Sequence, residues 1–225
     1  MIRFITNFLE PFSYLIYVIA VSIRLTKDQS LQLKMLLVFY LVATALMTDA
    51  SFKVFTQVTN LWAYNSLLLM ALLAIGFYYF NVLITKVKKG TALLFLAIAV
   101  LYFIVHNFIF KKFSELDSIG LVLLSVLVAV CSFMFFHQIL SNVKEAKIFY
   151  DFNFWLTSGY MVYYLGSFFI FLYYNYFTHK IASTRRPEDI ELLNILWGVH
   201  NVFLFLGAVI TLFGSLWTTY RNRFR

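Results

Sequence analysis

The chain has 225 residues, 62% of them hydrophobic and 12% charged, with a formal net charge of +8. Soluble domains carry about 25% charged residues, so this composition excludes an ordinary soluble domain and leaves little chain to build one beside a membrane region. Five stretches, 54–85, 90–110, 119–143, 152–178 and 192–220, contain no Asp, Glu, Lys or Arg, and about 20 apolar residues cross a bilayer core as a helix.

In chain order the pattern predicts an all-α, polytopic seven-transmembrane-helix bundle. Its spans lie at about 4–24, 31–49, 60–85, 91–110, 118–141, 153–177 and 191–220, within one transmembrane domain covering residues 1–225. The first span requires Glu10 and Pro11 to sit inside it. Residues 11–23 could pass for a signal peptide, but Arg24, Leu25, Thr26 and Lys27 follow instead of a small-residue cleavage pattern, so they read as an uncleaved span. The second span requires Lys34 to snorkel to the interface. The fifth holds the single cysteine, Cys131, whose apolar setting reads as a small buried hydrophobe. In the sixth, Gly159 and Gly166 share one helix face; Gly207 and Gly214 do so in the seventh. Small residues on one face let helix backbones approach closely, so these four predict that the last two helices pack on each other or on a neighbour through these faces. All loops are short, and the longest is expected at about 179–190.

The basic residues give a direction. Arg24, Lys27, Lys34, Lys86, Lys88, Lys89, Lys144, Lys147, Arg221, Arg223 and Arg225 make 11 on one side; Arg3, Lys53, Lys111, Lys112, Lys180, Arg185 and Arg186 make 7 on the other. The richer side is expected in the cytoplasm, with the N-terminus outside and the C-terminus inside. A basic inner face against anionic membrane lipid accounts for the net charge without nucleic acid.

Sorting polar residues by depth produces one layer near the outer face. Glu10 comes from the first span, Asp49 from the second, Tyr64 and Asn65 from the third, His106 and Asn107 from the fourth, Asn175 from the sixth, and His200 and Asn201 from the seventh. Ionisable groups in lipid are costly and usually face the bundle interior, a partner or water. The layer therefore reads either as a polar pocket open to the outside, with Glu10 and His200 deepest, or as decoration of the interface. For Glu10 alone, capping of a helix that starts at Pro11 is a further reading. The tyrosines and Trp62 read as interfacial anchors. A smaller inner layer holds Asn81, His137, Gln138, Asn142, Asn153 and Trp155. It suits interhelical bonding, or a docking surface for a partner.

These features separate the candidate activities. The last span has no lysine for a retinal Schiff base. An intramembrane metal-dependent lipid hydrolase would need His106 and His200 close together with an acid, because position 204 is Leu and His200 lacks a partner one turn on. A small-solute or lipid transporter would usually show repeats, or helices broken by Gly and Pro; the two prolines, Pro11 and Pro187, lie near span ends. No catalytic group, metal site or cofactor is expected.

The segment 36–48, the turn to Asn60, Trp62-Ala63-Tyr64-Asn65-Ser66-Leu67, Phe154-Trp155-Leu156-Thr157-Ser158-Gly159 and Tyr163-Tyr164-Leu165-Gly166-Ser167-Phe168-Phe169 together resemble a group of small bacterial seven-helix membrane proteins. Members of that group are often encoded beside sensor histidine kinases. The resemblance covers most of the chain and carries no catalytic residues. It implies a multi-pass protein of the cell inner membrane that partners a histidine kinase or another membrane signalling protein, with oligomers possible in principle. The expected function is a non-enzymatic sensor or signal relay with a pocket near the outer face.

Overall fold

The computed structural model describes residues 2–55, 61–110, 116–142, 148–184 and 186–221. Among them are seven long α-helices and no strand: α1 (Ile2–Leu25), α2 (Leu31–Phe55), α3 (Leu61–Val82), α4 (Lys86–Ile104), α5 (Ser118–Asn142), α6 (Phe152–Thr184) and α7 (Pro187–Arg221). A π-turn, Val105–Ile109, extends α4, and a 3-10 turn, Ile148–Tyr150, precedes α6. All seven helices, with the π-turn continuing α4, are long and apolar enough to cross a membrane. At 1.5 Å per residue, the shortest of them still approaches the roughly 30 Å of a bilayer core.

Several helices outrun their predicted ends. The expected loop at 179–190 is largely helical. α6 continues to Thr184, and α7 begins at Pro187, where a proline at the first helical position loses no hydrogen bond. Lys180 pairs with Asp189 at 2.6 Å and ties the two helices across their short junction. The helix α1 already runs from Ile2, so Glu10 lies within it; the reading of Glu10 as a cap before Pro11 is overturned. Thr85 caps α4, its Oγ1 accepting from the Lys88 amide at 3.3 Å, which ends the third span earlier and starts the fourth sooner than expected.

Each helix packs on its neighbours in sequence, and α7 closes the ring against α1. A further contact between α3 and α5 leaves α4 outside the ring. Thus 56% of the α3 span is buried against 22% of the α4 span. The seam between α6 and α7 is the most extensive. There Gly159 and Gly207 bring the two backbones together: a Cβ at Gly207 would lie 2.6 Å from the Gly159 carbonyl oxygen. Gly166 makes room for Phe203, and Gly214 for Trp155. In lipid, where burial of apolar surface does little to drive helices together, such close packing and interhelical hydrogen bonds hold a bundle.

Hydroxyl-bearing rings fill the core. Tyr17 stacks on Tyr40 at 4.6 Å between centroids, and the Tyr40 and Tyr160 hydroxyls bond to each other. Tyr79 bonds Ser132 at 2.8 Å, and Tyr78 meets Thr157 and Asn153, each at 3.3 Å. These tyrosines are not interfacial anchors. The phenols of Tyr40, Tyr78, Tyr79 and Tyr160 find partners on other helices, so α2 is joined to α6, α3 to α5, and α3 to α6. Trp62, by contrast, is partly exposed, with the Lys53 ammonium over its ring.

Candidate functional site

The predicted outer layer separates into three groups once the helices are placed. The first is a cavity of about 40 Å³ walled by residues of α1, α2, α3, α5, α6 and α7. Its polar lining is Glu10, Tyr14, Tyr64, Tyr163, Tyr164 and His200; Phe39, Phe171 and Trp197 supply aromatic faces. Glu10 is 4% exposed and accepts a hydrogen bond from the Tyr64 hydroxyl at 3.0 Å. The Tyr64 ring meets Trp197 edge-on at 5.5 Å. Trp197 lies 4.7 Å from His200, one helical turn further along α7. The His200 Nδ1 shares a hydrogen bond with Ser167 at 3.1 Å, and its ring is flanked by Phe171 and Tyr163. A carboxyl and an imidazole, each with a neutral partner, therefore face one aromatic chamber. Among the described residues, nothing in the lining is a lysine or arginine.

The second group is a clamp around Asp117, which is almost wholly buried at the start of α5. Its Oδ1 accepts from the Gly120 amide at 2.8 Å, the arrangement of a helix N-cap. Its Oδ2 accepts from Asn107 Nδ2 at 3.1 Å, and its own amide donates to Asn65 Oδ1 at 3.0 Å. Asn107 sits in the π-turn, which turns it inward from α4; Phe110 closes that turn by donating to the Val105 carbonyl at 3.1 Å. Asn65 and Asn107 are thus joined to Asp117 and do not line the cavity.

The third group lies outside both. Asp49 is half exposed and pairs with Lys53 one turn along α2 at 2.5 Å. His106 stacks on Tyr102, its Nδ1 3.2 Å from the phenol oxygen, on the outer helix of the bundle. Neither reaches the cavity. Asn201 is buried next to His200 in sequence but is not part of the cavity wall. Asn175 falls on α6, and its side chain is outside the described residues. Asn60, Lys111, Lys112, Glu115, Lys144, Lys147, Arg185, Arg223 and Arg225 are also outside them.

A second cavity, of about 430 Å³, occupies the opposite end of the bundle. Gln32, Asn81, Gln138, Asp151 and Asn153 line it beside Phe135 and Ile84. Gln138 bridges the break between α3 and α4, accepting from the Ile84 amide at 2.9 Å and donating to the Val82 carbonyl at 3.2 Å. Asn153 links this cavity to Tyr78 and so to the buried tyrosine core.

His106 lies beside Tyr102 on the outer helix, whereas His200 lines the cavity. Among the described residues no group of three or more His, Cys, Asp and Glu could hold a metal ion. The chain matches no protein-family model, no curated protein and no solved structure.

Sequence reasoning missed Tyr14, Tyr163, Tyr164 and Trp197 as cavity lining, and Asp117 as the centre of the clamp. The signal was available for Asp117, which directly precedes an apolar run and a Ser-Ile-Gly start, the place for a helix cap. The aromatic residues carry no such local mark.

Proposed function

We propose that this chain is a non-enzymatic membrane sensor or signal-relay protein, with the Glu10 cavity as its receiving site and the opposite end of the bundle as its output. The observation that carries the reading is that six of the seven helices wall the cavity. A ligand there meets nearly every helix at once, so a small displacement inside reaches the helix ends. Packed interfaces tend to switch between discrete arrangements, which turns such displacements into shifts of whole helices. The chain is read with its N-terminus and Glu10 facing the outside of a bacterial inner membrane. The output is read as passing to a membrane histidine kinase or a similar partner, which rests on the resemblance described above. The amide-rich cavity between Gln138 and Asn153 lies where that partner would be met.

A transport reading draws on one observation, the presence of a cavity at each end with buried tyrosines between them. Proteoliposome flux separates the two. The direct test of the relay is hydrogen exchange on the full chain in nanodiscs, with methylammonium, ethanolamine, glycerol and acetate as probes. The expected result is that at least one probe changes exchange at residues 82–84 and 148–153 in the wild type and not in Glu10→Gln. A change confined to residues near Glu10, or none with any probe, overturns the relay.

A further inference from the structure

Phe39 lines two cavities at once. On one side lies the Glu10 chamber. On the other is an apolar groove of about 370 Å³ between α2 and α3, walled by Met35, Val38, Met70, Leu73 and Ala74, with Lys34 at one end. The groove faces outward from the bundle: Val38 is 57% exposed and Leu73 49%. In a membrane that surface meets lipid chains. Phe39 itself is buried, its ring 6.4 Å from Tyr14 and 5.0 Å from Tyr40. A single aromatic side chain is therefore shared between the lipid-facing groove and the chamber that Glu10 lines.

We propose that the Glu10 cavity is entered sideways from the bilayer, past Phe39, and that it takes a membrane-partitioning primary amine. This inference rests on the ligand-pocket reading above and adds the class of ligand and its route. Size supports it first. Ligand sites commonly measure about 300–1,000 Å³. The chamber at about 40 Å³ has room for only a few waters, whereas the groove at about 370 Å³ falls within that range and accepts an alkyl chain.

Charge supports it second. A buried carboxylate is stable when a cation pairs with it. Among the described residues the chamber's lining includes no lysine or arginine, and an incoming ammonium supplies such a partner. The faces of Tyr64 and Trp197 favour a cation over a neutral head group.

Distance supports it third. Tyr14, against Phe39, is four residues from Glu10 along α1, so the amine has only about 6 Å of helix left to travel. A neutral amine meeting the protonated carboxyl takes its proton and the ion pair forms, whereas an ammonium meeting the carboxylate pairs with no proton moved. No other bond changes. The alkyl chain stays in the groove between α2 and α3.

The test uses the full chain in nanodiscs and dodecylamine carrying a photoreactive diazirine, either near the nitrogen or near the chain end, with labelled residues mapped by mass spectrometry. The head-end probe is expected on Tyr14 and Tyr64, and the tail-end probe on Met35, Met70 or Leu73. Leu73→Trp fills the groove from its lipid-facing side without entering the core. It is expected to cut both labels about tenfold, a cost of about 1.4 kcal/mol in binding. Phe39→Trp is expected to reduce the head-end label and spare the groove. Glu10→Gln is expected to reduce labelling by the amine and leave labelling by the matching dodecanol probe unchanged. Head-end labelling that survives Leu73→Trp overturns the lateral route. Equal labelling by amine and alcohol in the wild type overturns the amine. If water-soluble methylammonium gives a Glu10-dependent exchange response while dodecylamine labels neither site, the route fails and the pocket reading stands. If neither amine responds to Glu10→Gln, both fail.

Discussion

The Asp117 clamp and the Glu10 cavity sit in the same third of the bundle, and each is built on one buried carboxyl. They use it in opposite ways. Both oxygens of Asp117 are engaged, by Gly120 and Asn107, and its amide is engaged by Asn65. The network joins α3, the π-turn and the start of α5, and the chain itself supplies a partner to each oxygen of the Asp117 carboxyl. Glu10 receives a hydrogen bond from Tyr64 inside a chamber of aromatic rings that, among the described residues, holds no lysine or arginine. A saturated buried carboxyl holds helices together. One left among neutral partners holds capacity for something else.

The largest effect expected from this contrast is at the clamp. Asp117→Ala removes a helix cap and a charge-assisted bond, and strands Asn107 in the core. A cap is worth about 1 kcal/mol and a buried bond to a charged group about 1.5–3 kcal/mol, so a loss of roughly 2.5–4 kcal/mol is expected in reversible unfolding in mixed micelles. Asp117→Asn keeps the cap and should recover part of it. A loss under about 1 kcal/mol for the alanine variant would remove the clamp from the stabilising side of the comparison.

Next comes the seam between α6 and α7, two of the helices that wall the cavity. Gly159→Ala places a methyl group against the backbone of α7 at Gly207, and overpacking of this kind costs typically 1–3 kcal/mol. About 2 kcal/mol is expected, together with faster exchange around Ser167 and His200. Exchange around Asn107 and Asp117 should hold, since neither touches that seam. If both regions loosen equally, they form one cooperative unit and the contrast between them is lost.

Glu10→Gln should cost less than either. The amide is nearly isosteric, keeps an acceptor for the Tyr64 hydroxyl and removes a charge from an apolar chamber. A change within about 1 kcal/mol is expected, of either sign, because lost attraction and relieved desolvation oppose each other. A loss comparable to that of Asp117→Ala would show Glu10 to be a structural residue.

This contrast marks how far the sequence could be read. Seven spans were legible because charge-free length is a strong and local signal. Their polar ends were not: Lys180, Asp189 and Pro187 look like loop residues, yet they sit in or beside α6 and α7. Depth was legible too, since residue number along a helix sets height. Direction around the helix was not. Tyr64 and Asn65 are adjacent, but successive residues turn by about 100°, so one enters the cavity and the other the clamp. Asp49 and His106 share the depth of Glu10 and point elsewhere. The tyrosine core was hidden for a related reason. An aromatic ring with a hydroxyl suits both the membrane interface and a buried bond, and only its partner on another helix decides between them.

The smallest effect is expected at Asp49, and its smallness is the informative part. Asp49 is 51% exposed and meets Lys53 on the same helix. An exposed pair one turn apart is worth about 0.3–0.5 kcal/mol, and the freed lysine keeps its contact with the Trp62 ring. Asp49→Asn should therefore change unfolding by no more than about 0.5 kcal/mol, within the range of surface substitutions. It should also leave the Glu10-dependent response to amines untouched, because α2 turns Asp49 away from the chamber while presenting Phe39 to it. A response lost in Asp49→Asn but kept in Glu10→Gln would move the receiving site to the membrane surface, and depth in the bilayer would then no longer identify it.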